Sequence, residues 1–218
     1  MLAGHLAAAF VAKSVEPKAP LGALVAAAFA LDLIWPLLLF AGVERVSITP
    51  GATAFTPLTF IHYPWSHSLV LACAWGALAF AAARALRQST RSATVIGAVV
   101  VSHWVLDFVV HAPDLPLWPD GPLAGLGLWN SIPATVIVEG LLYAAAIALY
   151  VRTFRPRWGW YALVVFMGAI WIGGPFSPPP PNTSAVAWVT LALWILPFWA
   201  SRLTSGSDTE RAPRGFGV

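Results

Sequence analysis

The sequence predicts an all-α protein, a polytopic transmembrane helical bundle of about six full spans plus a short N-terminal helix. Three observations predict it. Of 218 residues, 59% are hydrophobic and only 10% charged, against about 25% charged in a soluble domain, and the mean hydropathy is +0.76. The apolar residues form long continuous runs rather than the alternation of a β-barrel. The basic residues fall in short clusters between those runs, which is the charge pattern of membrane topology. The net charge of +3 therefore speaks for orientation in a bilayer, and no nucleic-acid partner is expected.

The first apolar run, Met1 to Ala12, is too short to span alone. No basic residue precedes it, so it does not read as a cleaved signal peptide. It reads as a half-span or as one arm of a helical hairpin turned at Glu16-Pro17-Lys18-Ala19-Pro20. The second stretch, Leu21 to Val43, carries Asp32 near its middle and Pro36 after it. Pro36 is expected to kink or interrupt the helix, because it lacks an N–H and crowds the preceding turn. Glu44 to Pro64 is rich in Gly, Thr and Pro and reads as an extramembrane or re-entrant loop.

The third span runs from Ser66 to Ala83, with Ser66 as its cap and His67 in its first turn. A turn with Arg84, Arg87 and Arg91 leads to the fourth span, Ala93 to His111. A Pro/Gly/Trp-rich loop, Ala112 to Trp129, precedes the fifth span, Ile132 to Tyr150. A basic turn with Arg152, Arg155 and Arg157 then precedes the sixth, Trp160 to Ile172. Four prolines, Pro178 to Pro181, form a stiff loop before the seventh, Ser184 to Trp199. Residues 1–203 read as one transmembrane domain and 204–218 as a disordered polar tail. If each run crosses once, the Lys13/Lys18 turn, both arginine turns and the tail share one face, and only Arg45 lies on the other. Positive-inside asymmetry assigns the basic face to the cytoplasm.

The chemistry gathers in the fourth span. His103, Asp107 and His111 are four apart and share one helix stripe, with Asp114 a further three along. Ionisable groups in such a segment face a protein interior or a polar cavity. His-x-x-x-Asp presents an imidazole nitrogen and a carboxylate one turn apart, which suits a divalent first-row metal. The threading puts His5, Asp32 and His67 at similar depth, so these five are the candidate ligands, with Asp32 or Asp107 able to serve as a base instead. His62, His111, Asp114 and Glu139 are candidates for groups around the ligands or at the rim. Asp120 and Glu44 read as ordinary loop charges. The single cysteine, Cys73, excludes an intrachain disulfide and a thiolate-rich metal site.

Gly4-His5, Leu31-Asp32-Leu33, Ser66-His67-Ser68 and Ser102-His103 through Asp107, in that order, resemble the bacterial membrane-bound metal-dependent hydrolases. These are inner-membrane proteins distantly similar to phospholipase C and P1 nuclease. Ala30-Leu31-Asp32-Leu33 lacks that family's proline and second acidic residue, and His62-Tyr63-Pro64-Trp65 replaces its His-Arg-Gly. The resemblance implies a multi-pass protein of the bacterial inner membrane. It implies His5, Asp32, His67, His103 and Asp107 as ligands of a divalent ion, zinc by the mixed nitrogen and oxygen donors. It also implies a hydrolase acting on a phosphoester, and the depth of the site points to a lipid or lipid-linked substrate at the outer leaflet. Two other readings stand beside it. One is a proton- or ion-coupled transporter using Asp32, Asp107 and Glu139. The other is a non-catalytic membrane scaffold.

Overall fold

The computed structural model describes residues 1–203; the tail expected over 204–218 lies outside the described residues. The fold is all-α, with two short antiparallel hairpins between helices. The helices are α1 (Leu2–Val15), α2 (Leu21–Ala28), α3 (Ala30–Phe40), α4 (Pro64–His67), α5 (Leu69–Ala85), α6 (Thr90–Val110), α7 (Ile132–Thr153), α8 (Trp158–Gly173), α9 (Thr183–Leu191) and α10 (Ile195–Leu203). Strands β1 (Arg45–Ile48) and β2 (Leu58–His62) pair with Arg45 opposite His62. Strands β3 (Leu115–Pro116) and β4 (Leu123–Ala124) make the second hairpin.

Among the described residues, four helical stretches are long and apolar enough to cross a membrane: Thr90–Val110, Ile132–Thr153, Trp158–Phe176 and Thr183–Leu203. The bent pair α2 and α3 raises this to five. The expected six full spans are therefore too many, for two local reasons. The 17 residues of α5 reach only about 25 Å, short of the ~30 Å hydrocarbon core. The second stretch is broken by 54° between Ala28 and Ala30. That break is not at Pro36, which lies inside α3. Pro36 acts more quietly: lacking an N–H, it leaves the carbonyl four residues back, that of Asp32, without its helical donor.

The start of the third span also differs from expectation. Ser68, not Ser66, caps α5, its side chain accepting from Leu71 N–H. His67 consequently ends the short α4 instead of opening α5.

The short α1 is a largely buried helix of the bundle. It packs between α7 on one side and α2 and α6 on the other. Ala3, Leu6, Ala7, Ala9 and Phe10 are fully buried, and its alanines allow the neighbours to come close. It turns back into α2 as a hairpin, and Lys13 closes the turn by donating to the carbonyls of Pro17 at 2.6 Å and Ala19 at 2.9 Å. α6 lies along α5 and also touches α1, α2 and α3. The α5–α6 contact is backbone on backbone. A Cβ on Gly97 would lie 2.8 Å from the Gly76 carbonyl oxygen, and a Cβ on Gly76 would lie 2.8 Å from that of Gly97.

The two ends of the bundle have different chemistry. At one end Glu16 pairs with Arg91 at 2.8 Å and accepts from Ser92 Oγ at 3.1 Å. Lys13 sits 5.7 Å over the Phe154 ring. The α1–α2 turn, the α5–α6 turn and the end of α7 thus meet, as their shared positive charge anticipates. The hairpins and the 112–131 loop occupy the opposite end, tied together by Phe55 N–H donating to the Trp129 carbonyl at 3.0 Å. That loop also closes the end of α6: Leu126 N–H donates to Phe108 at 2.8 Å and Gly127 N–H to His111 at 2.6 Å. The approach requires glycine at 125, where φ is +157° and a Cβ would fall 2.0 Å from the Ala112 oxygen.

Candidate metal centre

Four segments far apart in the chain deliver His5, Asp32, His67, His103 and Asp107 to one point between α1, α3, α4 and α6. The α6 stripe begins the site. His103 Nε2 and Asp107 Oδ2 are 3.0 Å apart, one turn from each other. His103 Nδ1 lies 2.8 Å from the carbonyl oxygen of Ala28, the last residue of α2. A carbonyl only accepts, so Nδ1 carries the proton, and in the neutral ring Nε2 is the nitrogen that can offer a lone pair to the cluster. The break between α2 and α3 therefore serves the site, because terminal carbonyls of a helix are free for outside donors.

His5 reaches the site from the second turn of α1. Its ring stacks on His103 with centroids 3.7 Å apart and planes 11° from parallel. Its Nε2 is 3.1 Å from Asp107 Oδ1, yet neither of its ring nitrogens completes a hydrogen bond. The α-amino group of Met1 also lies 2.9 Å from Asp107 Oδ1. His67 comes from the opposite side, with Nε2 3.5 Å from Asp32 Oδ1 and 3.9 Å from Asp107 Oδ2. Asp32 Oδ2 is 3.9 Å from His103 Nε2.

His5, His103 and Asp107 form one triad of potential ligands, and Asp32, His67 and His103 a second that shares His103. Ligands about 2.05 Å from a tetrahedral zinc stand about 3.3 Å apart, and the donor separations of 3.0 to 3.9 Å bracket that value. Buried ring nitrogens without partners at His5 and His103 are costly unless something satisfies them. The cluster can hold a metal ion. Its one partly open member is Asp32, whose side chain is 22% exposed, against 5% or less for the other four.

The remaining candidates sit outside this cluster. His62 lies on β2, partly exposed, across from Arg45. His111 is buried in a neighbouring polar group, with Nδ1 3.0 Å from Asp114 Oδ1 and 3.4 Å from Tyr63 Oη. Tyr63 donates to Asp114 at 3.2 Å, and its ring packs 5.4 Å from that of His67. Burial, and then the Asp114 carboxylate, push the Tyr63 phenol well above its ordinary value, so it stays a donor. Glu139 is fully buried on α7, and neither oxygen completes a hydrogen bond among the described residues. It faces the amino end of α1, nearest the amides of Ala3 and Gly4, where a helix favours negative charge.

Glu44 is not a loop charge. It is 2% exposed and accepts from both the backbone N–H of Ser66 at 2.8 Å and its hydroxyl at 2.7 Å. Ser66 Oγ in turn lies 2.6 Å from His67 Nδ1. No signal in the sequence singles Glu44 out, since its meeting with Ser66 depends on the β1–β2 hairpin folding back.

Among the described residues, four apolar helical stretches that can span a membrane, one of which carries part of a buried His/Asp cluster that can hold a metal ion, define the class of this molecule. No protein family, curated protein or solved structure matches the chain.

Proposed function

We propose that the chain is a metal-dependent hydrolase of the bacterial inner membrane, acting on phosphoester bonds of a lipid or lipid-linked substrate at the outer leaflet. One observation carries the reading: three imidazoles and two carboxylates from four segments converge inside an apolar bundle, with bare ring nitrogens turned inward. The motif order that resembles the membrane-bound hydrolases points the same way. His5, His67, His103, Asp107 and Asp32 would hold the ion, and the mixed donors suit zinc. Bound zinc would supply a water activated near neutral pH and a Lewis acid for a phosphoryl oxygen.

The carboxylates divide by environment. Asp107, enclosed by His5, His103 and the Met1 amine, anchors. Asp32, on the open side, would be the loosest ligand, free to act as base toward a bound water instead. An apolar groove of about 390 Å³ between α2–α3 and α5–α6, lined by Ala27, Ala30, Ile34, Trp75, Ala79 and Val100, flanks the helix positions of Asp32 and His103 and suits an acyl chain. The basic end of the bundle faces the cytoplasm by the positive-inside pattern.

A transporter would need polar groups continuing from Glu139 to the basic end. Leu6, Phe10, Ala146, Trp160, Leu163 and Met167 make most of that interior, and the Tyr143 hydroxyl within it is engaged by the Val164 carbonyl at 2.9 Å, which favours the hydrolase. Metal analysis of the purified protein in detergent tests the reading. Stoichiometric zinc or another divalent ion is expected in the wild type and lost in His103→Ala and Asp107→Ala. A folded wild type that takes up no divalent ion refutes it.

A further inference from the structure

We propose that Glu44 is a positioning residue that acts through Ser66 to fix the ring-proton position of His67. The inference rests on the reading of His67 as a ligand. The direction of each hydrogen bond follows from donor counts. A carboxylate accepts only, and Glu44 takes Ser66 N–H on Oε1 and the Ser66 hydroxyl on Oε2. A serine hydroxyl has one proton, and here Glu44 holds it. Ser66 Oγ can then only accept from His67 Nδ1, 2.6 Å away. The proton is thereby held on Nδ1, and Nε2 is left bare toward Asp32 and Asp107.

The local fold brings this about. α3 ends at Phe40, Gly42 adopts φ +70°, and the N–H groups of Val43 and Glu44 both return to the Leu38 carbonyl. That turn sets Glu44 at the root of the β1–β2 hairpin, whose other strand runs into α4 and Ser66. Ser66, His67 and Glu44 are each buried, so water does not compete for these bonds. His103 obtains the same proton arrangement from the Ala28 carbonyl. Two imidazoles on opposite sides of the cluster are thus aimed by different devices, one main-chain and one carboxylate–serine. Such partners fix the orientation of a ligating histidine, and their loss weakens metal binding about 10- to 100-fold.

Glu44→Gln preserves shape but has one acceptor atom in place of two. With its oxygen on Ser66 N–H, its amide donates to Ser66 Oγ and turns the hydroxyl proton toward His67. The ring proton then moves to Nε2. The test is ¹⁵N NMR of histidine-labelled, chelator-treated protein in detergent micelles, with His67 assigned through His67→Gln. The wild type should show His67 protonated on Nδ1 and Glu44→Gln on Nε2, with the zinc dissociation constant raised at least 10-fold in the variant. His67 protonated on Nε2 in the wild type overturns the inference whether or not the variant folds. Nδ1 protonation retained in folded Glu44→Gln overturns it as well. A wild type with the expected ring proton but no affinity for zinc refutes the metal reading and leaves the role of Glu44 in place.

Discussion

The Gly76–Gly97 contact ties the packing of the bundle to the site. In Gly97→Ala the new methyl lies 2.8 Å from a backbone oxygen that has no rotamer to escape into, and 3.4 Å from Phe80 Cβ. Ordinary contact begins near 3.4 Å, so α5 and α6 must separate by about 0.6 Å. Overpacking of this kind costs about 1–3 kcal/mol, offset by up to about 1 kcal/mol of helix propensity gained over glycine. A net loss of about 1–2 kcal/mol is expected. The chemical consequence follows from chain order. His103 and Asp107 ride on α6, while His67 immediately precedes α5, so parting the helices parts the two halves of the site. A ligand set tolerates about 0.5 Å of displacement, so zinc affinity should fall together with stability. Thermal unfolding in detergent and zinc competition measure the two effects. Gly76→Ala should behave alike, and the double variant should cost less than the two separately, because one separation relieves both clashes. An unchanged or raised Tm in Gly97→Ala, or fully additive losses, would refute the reasoning.

Asp107→Asn should lose bound metal, whereas Asp32→Asn should retain most of it and lose turnover; metal analysis beside a phosphoester assay on lipid vesicles separates them. Tyr63→Phe removes the donor to Asp114 and should cost about 1 kcal/mol. The folded state holds the Tyr63 proton more tightly than the unfolded chain, so its stabilisation is complete below pH ~10 and is lost as pH rises beyond that. Alkaline unfolding should accordingly be less steep in Tyr63→Phe than in the wild type. Arg91→Ala should cost less than about 1 kcal/mol, because its side chain is 72% exposed and Ser92 still serves Glu16. A larger fall in Tm would mean that the basic end is held by more than this network.

The meeting of His5, Asp32, His67, His103 and Asp107 was legible in the sequence because cost makes such residues conspicuous. An ionisable group in an apolar run needs a partner, and the threading of runs between basic turns places these five at one depth. The all-α class followed from the same runs. Less legible were features set by local backbone competition. The prolines drew attention to position 36, yet the bend falls at Phe29, between the alanine-rich α2 and the leucine-rich α3, whose propensities give no warning. Ser66 and Ser68 are both plausible caps, and the choice turns on Glu44, which claims the Ser66 hydroxyl. A carboxylate in a polar loop looks like any other solvated charge until the hairpin closes over it.

The candidate ligands are also scattered in time. During synthesis His5 emerges on α1, long before α6 brings His103 to stack on it and Asp107 to pair with it. No segment of the chain holds more than two of the five residues. An ion offered to a partly made chain would therefore find no complete set of donors, and loading would wait for α6 to dock against the α1–α2 hairpin. Metal occupancy would then report on assembly, marking chains whose early and late helices have met.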